Sequence, residues 1–413
     1  MLPPPPDILA RDADDPLASA RERFHIPEGL IYLDGNSLGP APVSVFAELQ
    51  EAIVREWAGD LIASWNRAGW FALPRTLGAR LARLVGAGED EVVVCDTVSI
   101  NLFKCLHAAL ALRPGRNAIV AEEAGFPTDL YIASGVARTR PGLALRLEGR
   151  DGAALEDLID EDTAVVMVNH VDYRTGALRD MAALTRRAHD AGALVLWDLC
   201  HSAGVMPVDL GGCGADFAVG CSYKYLNGGP GAPGFLHVAR VHHGALVQPL
   251  TGWWSHAEPF AFSSGYAPAP GIAAMLTGTQ PILSMRAMTA ALDAFEGVDL
   301  VAVRQKSMAL TDLFIDLVEE RCAGFGLELA APRKAEDRGS QVSFRHADGY
   351  AIMQALIARG VVGDFRAPDI LRFGFAPLYI GYGDVWNAVE VLRRVLETQA
   401  WRDPAYALRS GVT

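Results

Sequence analysis

From about residue 90 the chain settles into an alternation that few folds can accommodate. Short, unbroken apolar runs recur at "EVVVC" (91–95), "NAIVAE" (117–122), "AVVMVNHV" (164–171), "ALVLWD" (193–198), "FAVGCS" (217–222) and "GFLHV" (234–238). Segments of helical period, such as "DMAALTRRAHDAG" (180–192), lie between several of them. A strand that is apolar on both faces must be covered on both faces, and helices between successive strands supply the cover. The pattern predicts an α/β fold built on a mostly parallel sheet clad in helices.

Upstream, "VSVFAELQEAIVREWA" (43–58) repeats apolar residues at three- and four-residue steps, the signature of an amphipathic helix. After about residue 285 comes a long helical stretch, "SMALTDLFIDLVEERCAG" (307–324), with weaker strand signals at "SQVSFRH" and "LRFGFAPL". These predict a smaller C-terminal α+β domain. With 413 residues there is chain enough for two or three domains. The expected division is an N-terminal arm (1–45) packing with the small domain, a large domain (46–288) and the small domain itself (289–413).

A formal net charge of −13 offers no general attraction to nucleic acid or to anionic membranes. No apolar run approaches the roughly 18 residues that span a bilayer. The opening "MLPPPPDILARDADDP" has neither the basic nor the apolar region of a signal peptide, so a cytoplasmic location is expected. Six scattered cysteines without a C-x-x-C pair read as free thiols, with no metal centre.

In open α/β sheets ligands collect at the carboxyl ends of the strands. Four such ends carry unusual residues. Asp96, Thr97 and Ser99 follow the first run, where hydroxyls and unpaired amides at a helix start favour an anion. A plain N-cap would use the same residues. After "NAIVAE", the sequence "EEAGFPTDLY" sets Phe126 before Pro127, Thr128 and Asp129. The aromatic could stack on a flat ring or simply pack beside a proline turn.

Asp198 closes the all-apolar "ALVLWD", and His201 follows three residues later. A buried carboxylate must be neutral, hydrogen-bonded or matched to a cation. A protonated heterocyclic nitrogen would be such a cation; capping the next helix is the ordinary alternative, as a structural role is for His201. Last comes "GCSYKYLNGGPGAPGF" (220–235), where Tyr223 and Lys224 precede a run of glycines. A phosphate-binding Walker loop puts its lysine after the glycines, so Lys224 reads instead as a nucleophilic amine suited to a Schiff base. Anion site, stacking aromatic, strand-end aspartate and lysine, in that order, are what pyridoxal 5′-phosphate requires.

These motifs, together with "YLDGNSLGP" (32–40), "GWWSH" (252–256), "GTQPILSM" (278–285) and "LRFGFAPLY" (371–379), give a chain that resembles the kynureninase family over nearly its whole length. That family belongs to the fold type I, aspartate-aminotransferase-like pyridoxal-phosphate enzymes. The resemblance implies hydrolytic β,γ-cleavage of L-kynurenine, or its 3-hydroxy form, in tryptophan catabolism. It makes Lys224 the cofactor-bearing lysine and Cα base, Asp198 the partner of the pyridine nitrogen, and Phe126 the ring-stacking residue. Tyr223 becomes the candidate proton relay. Val98 (through its backbone), Ser99, Pro127, Thr128, Asp129, Asn169, His201 and Tyr223 complete the cofactor set within the chain.

The resemblance also implies a homodimer whose site is shared, with Trp253 and Thr279 reaching the phosphate from the neighbouring subunit. Thr279 stands where some members carry asparagine. Arg372 would grip the substrate α-carboxylate with its planar fork. Asn36, Ser37, Trp65, Trp254 and His256 are candidates for the aromatic end of the substrate. The rival activities are a cysteine desulfurase, for which Cys322 is the one late thiol, and an aminotransferase. A non-catalytic scaffold is the rival of another class, and it has no use for Lys224.

Overall fold

The structure is a computed structural model in which residues 3–408 are described. Seven strands form the central sheet: β1 (Val92–Val94), β2 (Ala118–Glu122), β3 (Ala144–Glu148), β4 (Thr163–Asn169), β5 (Leu194–Asp198), β6 (Phe217–Cys221) and β7 (Gly234–Val238). Their spatial order is β1-β7-β6-β5-β4-β2-β3. Strand β7 runs antiparallel to both of its neighbours, while the pairs from β6 outward to β3 are parallel. Every residue of β4, β5, β6 and β7 is buried, as their unbroken apolar sequence requires.

All six apolar runs are strands. The one strand of this sheet absent from that reading is β3, "ALRLE", at the sheet edge. An edge strand is covered less completely, so it alternates polar and apolar residues and gives no continuous run. The reversal of β7 has a consequence for the site. It brings the beginning of β7, at Gly234, to the same sheet end as the carboxyl ends of the other strands.

A helix-clad, mostly parallel sheet, as the sequence pattern predicts, is followed by a C-terminal antiparallel sheet. The second sheet contains β8 (Glu328–Leu329), β9 (Gln341–Arg345), β10 (Asp364–Arg366) and β11 (Ile370–Gly374), ordered β8-β9-β11-β10. The long helix preceding it spans Leu300–Arg321, starting seven residues before the segment quoted from the sequence. Asp299 sets that start by accepting a hydrogen bond from Val301 N.

The N-terminal segment is sewn to this C-terminal part. Ile31 and Tyr32 pair in parallel with Val361 and Val362. Asp12 accepts hydrogen bonds from the amides of Tyr382 and Gly383, and Lys306 pairs with Asp15 at 2.6 Å. The consequence is positional: the "LDGNS" loop that follows Tyr32 is delivered against β10 and β11.

Candidate active site

The four strand ends converge on one cavity of about 250 Å³. Ten of the expected residues line it: Val98, Ser99, Phe126, Thr128, Asp129, Asn169, Asp198, His201, Tyr223 and Lys224. Each is delivered by a strand end or by the turn after it.

The helix Val98–Leu112 starts directly after β1. Thr97 is its N-cap, its hydroxyl accepting from Ile100 N at 3.3 Å, so the ordinary reading of Thr97 holds. The amides of Val98 and Ser99 belong to the first turn, which has no intrahelical acceptor for them. Gly234 keeps this spot open: a Cβ there would lie 3.2 Å from Val98 N and 3.1 Å from Asn101 Nδ2. Asp96 plays a bracing part. It holds a left-handed φ of 48° and pairs with the buried Lys104 Nζ at 2.8 Å, which also donates to Met275 O at 2.6 Å.

On the opposite flank Phe126 caps the helix Pro127–Thr139 and stays 40% exposed. Lys224 Nζ lies 5.7 Å from its ring centroid. Pro127 sits at the first helical position, where its missing N–H costs nothing, and does not line the cavity. Parallel pairing sets Asn169 opposite Asp198 in adjacent strands. Asn169 Nδ2 donates to Asp129 Oδ2 at 3.1 Å, and Cys200 N donates to Asp198 Oδ1 at 2.6 Å. The carboxyls of Asp129 and Asp198 face each other; burial and then the charge of Asp198 hold the Asp129 carboxyl well above the usual carboxylate range.

Lys224 Nζ and His201 Nε2 stand 3.0 Å apart. Burial, reinforced by the positive charges of Lys224, Arg372 and Arg366, pushes the His201 imidazole well below its ordinary value. A neutral His201 with its proton on Nδ1 can accept through Nε2 from Lys224 Nζ. Tyr223 is half-buried and burial raises its phenol, which stays protonated and able to donate.

The residues fit pyridoxal 5′-phosphate. Two adjacent buried carboxyls repel when both are ionised, and a protonated ring nitrogen beside Asp198 would relieve that repulsion. Asp129 Oδ1 and His201 Nδ1 are buried without a hydrogen-bond partner among the described residues. Unpaired amides at a helix start suit a phosphate, and Lys224 supplies the amine for an aldehyde.

The other expected residues lie elsewhere within this chain. Arg372, Asn36 and Ser37 meet in a second cluster, linked to the cavity through Tyr173, whose carbonyl accepts from Arg372 Nη1 at 2.6 Å. Trp65 and Trp254 belong to an aromatic cluster in which Trp254 is buried and stacks on Phe71 with centroids 5.3 Å apart. His256 has both ring nitrogens engaged by its own loop, at Gly265 O and Glu258 N. Trp253 packs near Phe71 and Phe260, and neither it nor Thr279 lines the cavity. Sequence reasoning missed Tyr173, which packs edge-on to Phe126, and the charged trio Asp34, Asp364 and Arg366. Charged residues in "DFR", just ahead of the quoted "LRFGFAPLY", were the available signal.

Comparison with known proteins gives a consistent result. The family described as kynureninase C-terminal domain matches residues 303–392. Kynureninase from Burkholderia mallei (strain SAVP1) is 56% identical over 412 residues, covering 98% of this chain and 99% of that protein. Kynureninase from Pseudomonas fluorescens is 52% identical over the same shares of the two chains. Among solved structures, a cysteine desulfurase from Thermococcus onnurineus NA1 superposes with a TM-score of 0.74 at 21% identity, covering 96% of this chain and 99% of that one. A complex of the cystine C-S lyase C-DES with cysteine persulfide gives 0.76 at 17% identity over 89% and 98%. These two distant likenesses speak for the fold alone. The chain belongs to the kynureninase family.

Proposed function

We propose that this chain hydrolyses the Cβ–Cγ bond of L-kynurenine, consuming one water and releasing anthranilate and L-alanine in tryptophan catabolism. Its cofactor is pyridoxal 5′-phosphate. One observation carries the reading: in a chain of this family, the Asp198 carboxyl and the Lys224 amine open into one cavity. When bound, the cofactor supplies an electron sink for the charge left on the substrate's Cα.

The chain's own residues do the rest. Lys224 would hold the cofactor through Nζ and is placed to take the Cα proton. Asp198 would keep a proton on the heterocyclic nitrogen, and Phe126 would pack against the ring. The amides of Val98 and Ser99 would bind the phosphate. The Tyr223 phenol, held protonated, donates a proton during cleavage. Arg372 receives the substrate α-carboxylate, and Asn36 and Ser37, which both contact its guanidinium, are proposed toward the aromatic end of the substrate.

Trp253 and Thr279 act from the partner subunit in a homodimer, with Trp65, Trp254 and His256 toward the aromatic end. An exposed apolar surface supports the dimer: Phe46, Ile53, Val54, Trp57, Leu61 and Ile62 are all exposed on the helical stretch 45–63. The arm (1–45), large (46–288) and small (289–413) domains stay the proposed division, with the enzyme in the cytoplasm. No helix among the described residues is long and apolar enough to cross a membrane.

Incubating holoenzyme with L-kynurenine alone tests the activity through anthranilate fluorescence. A requirement for a keto-acid acceptor would point to transamination and overturn the reading. Running 3-hydroxy-L-kynurenine in parallel decides which form is preferred. A desulfurase is disfavoured by Cys322, which is buried at the end of the helix Leu300–Arg321 with its thiol pushed up to about 12.

A further inference from the structure

Strand pairing sets Asp364 of β10 directly opposite Arg372 of β11, and Arg366, two residues along β10, shares the face of Asp364. The Arg372 guanidinium is 1% exposed and already occupied. Its Nε donates to Asp364 Oδ1 at 2.8 Å, and its Nη2 to Asp364 Oδ2 and to Ser37 Oγ at 2.8 Å. Its Nη1 donates to Tyr173 O at 2.6 Å. With its amide turned so that oxygen faces the guanidinium, Asn36 also accepts from Nε at 2.9 Å. Of the five N–H groups in the fork, one on Nη1 is left. A carboxylate gripped bidentately needs two.

Arg366 supplies what is missing. Its Nη2 reaches Asp364 Oδ2 at 2.7 Å and Ser37 Oγ at 3.2 Å, the same two oxygens that Arg372 Nη2 contacts, so the two guanidinium groups converge. Its Nε and Nη1 have no partner among the described residues, and its side chain is 36% exposed. Its charge is felt at His201 inside the cavity, and it interacts with Tyr173 on the cavity wall. Charge accounting points the same way. Two arginines face the ionised Asp364, and Asp34 beside them is held toward its neutral form by burial and by Asp364. Below about pH 7 the cluster thus carries an unmatched positive charge.

We propose that Arg366 is a second substrate-binding residue, which together with Arg372 receives the α-carboxylate of the amino-acid substrate. Arg372 is fixed and buried, so it sets position; Arg366 keeps free donors and meets the ligand. The proposal rests on the reading of the site as one that takes an amino acid.

The test compares L-alanine with L-alaninamide, which lacks the anionic carboxylate, by titrating holoenzyme and following cofactor absorbance. The native protein should bind alanine more tightly than the amide, and Arg366→Gln should weaken alanine roughly 10- to 100-fold while leaving the amide nearly unchanged. Equal weakening of both ligands would mean that Arg366 only supports the loop, and would overturn the proposal. If Arg366→Gln gives no folded holoenzyme, Arg366→Lys carries the test: losing the planar fork should lower the acid-to-amide preference several-fold, and an unchanged preference contradicts it. Failure to release anthranilate with an Arg366-dependent preference intact would remove the reaction and keep the subsite. Anthranilate release with a preference indifferent to Arg366 would remove the subsite alone.

Discussion

Lys224 Nζ stands 3.0 Å from Nε2 of His201, whose imidazole burial, and then the charges of Lys224, Arg372 and Arg366, hold well below its ordinary value. Tyr223 next to it is the opposite case, a phenol that burial prevents from ionising. Replacing Tyr223 with phenylalanine should slow turnover about 10²- to 10⁴-fold while cofactor absorbance is retained; undiminished turnover would remove it from the chemistry. Asp34 gives a prediction about stability. Burial and then the charge of Asp364 raise its carboxyl to about 7, against a value near 3.9 in an unfolded chain. Between those values the folded protein holds a proton that the unfolded chain has lost. Stability from this group is therefore greatest below about pH 4 and declines as pH rises toward 7. Asp34→Asn should flatten that decline in urea midpoints measured from pH 5 to pH 8. An unchanged slope would mean that Asp34 is ionised throughout.

At the scale of elements, the junction between β1 and the helix Val98–Leu112 depends on the buried Lys104 and its partners Asp96 and Met275 O. Lys104→Met leaves the partly buried carboxylate of Asp96 without its cation, with Thr277 Oγ1 still donating to it, and should cost about 3 kcal/mol in urea unfolding. A loss within experimental error would show the brace to be dispensable. Such braces mark the limit of what the sequence discloses. Strands buried on both faces announced themselves as apolar runs, and the ends of those runs led to Asp198, Phe126 and Lys224. The edge strand Ala144–Glu148 did not, because partial exposure lets polar residues in. Asp364 and Arg366 stayed hidden for another reason. Their meaning depends on cross-strand register with Arg372 and on the arrival of Ser37 from more than 300 positions upstream. The tryptophans of "GWWSH" were legible as unusual, yet inside one chain Trp254 is a packing residue, and sequence alone cannot separate the two uses.

For the whole molecule, the exposed apolar residues between 45 and 63 need a cover, and a second copy of the chain is the proposed one. Ile62, 80% exposed, is the natural place to break it. Ile62→Asp should shift the sedimenting species from dimer toward monomer and depress activity with it; a fully active monomer would contradict the shared site. Mixing Lys224→Ala with Trp253→Ala should restore activity to roughly a quarter of the sites by random pairing of subunits. All of this turns on Lys224 carrying the cofactor opposite Asp198. Reducing the holoenzyme with borohydride and mapping its peptides tests this most directly. A pyridoxyl label is expected on the peptide containing Lys224, lost in Lys224→Ala. A label on another lysine, or none on a protein that still cleaves kynurenine, would contradict it.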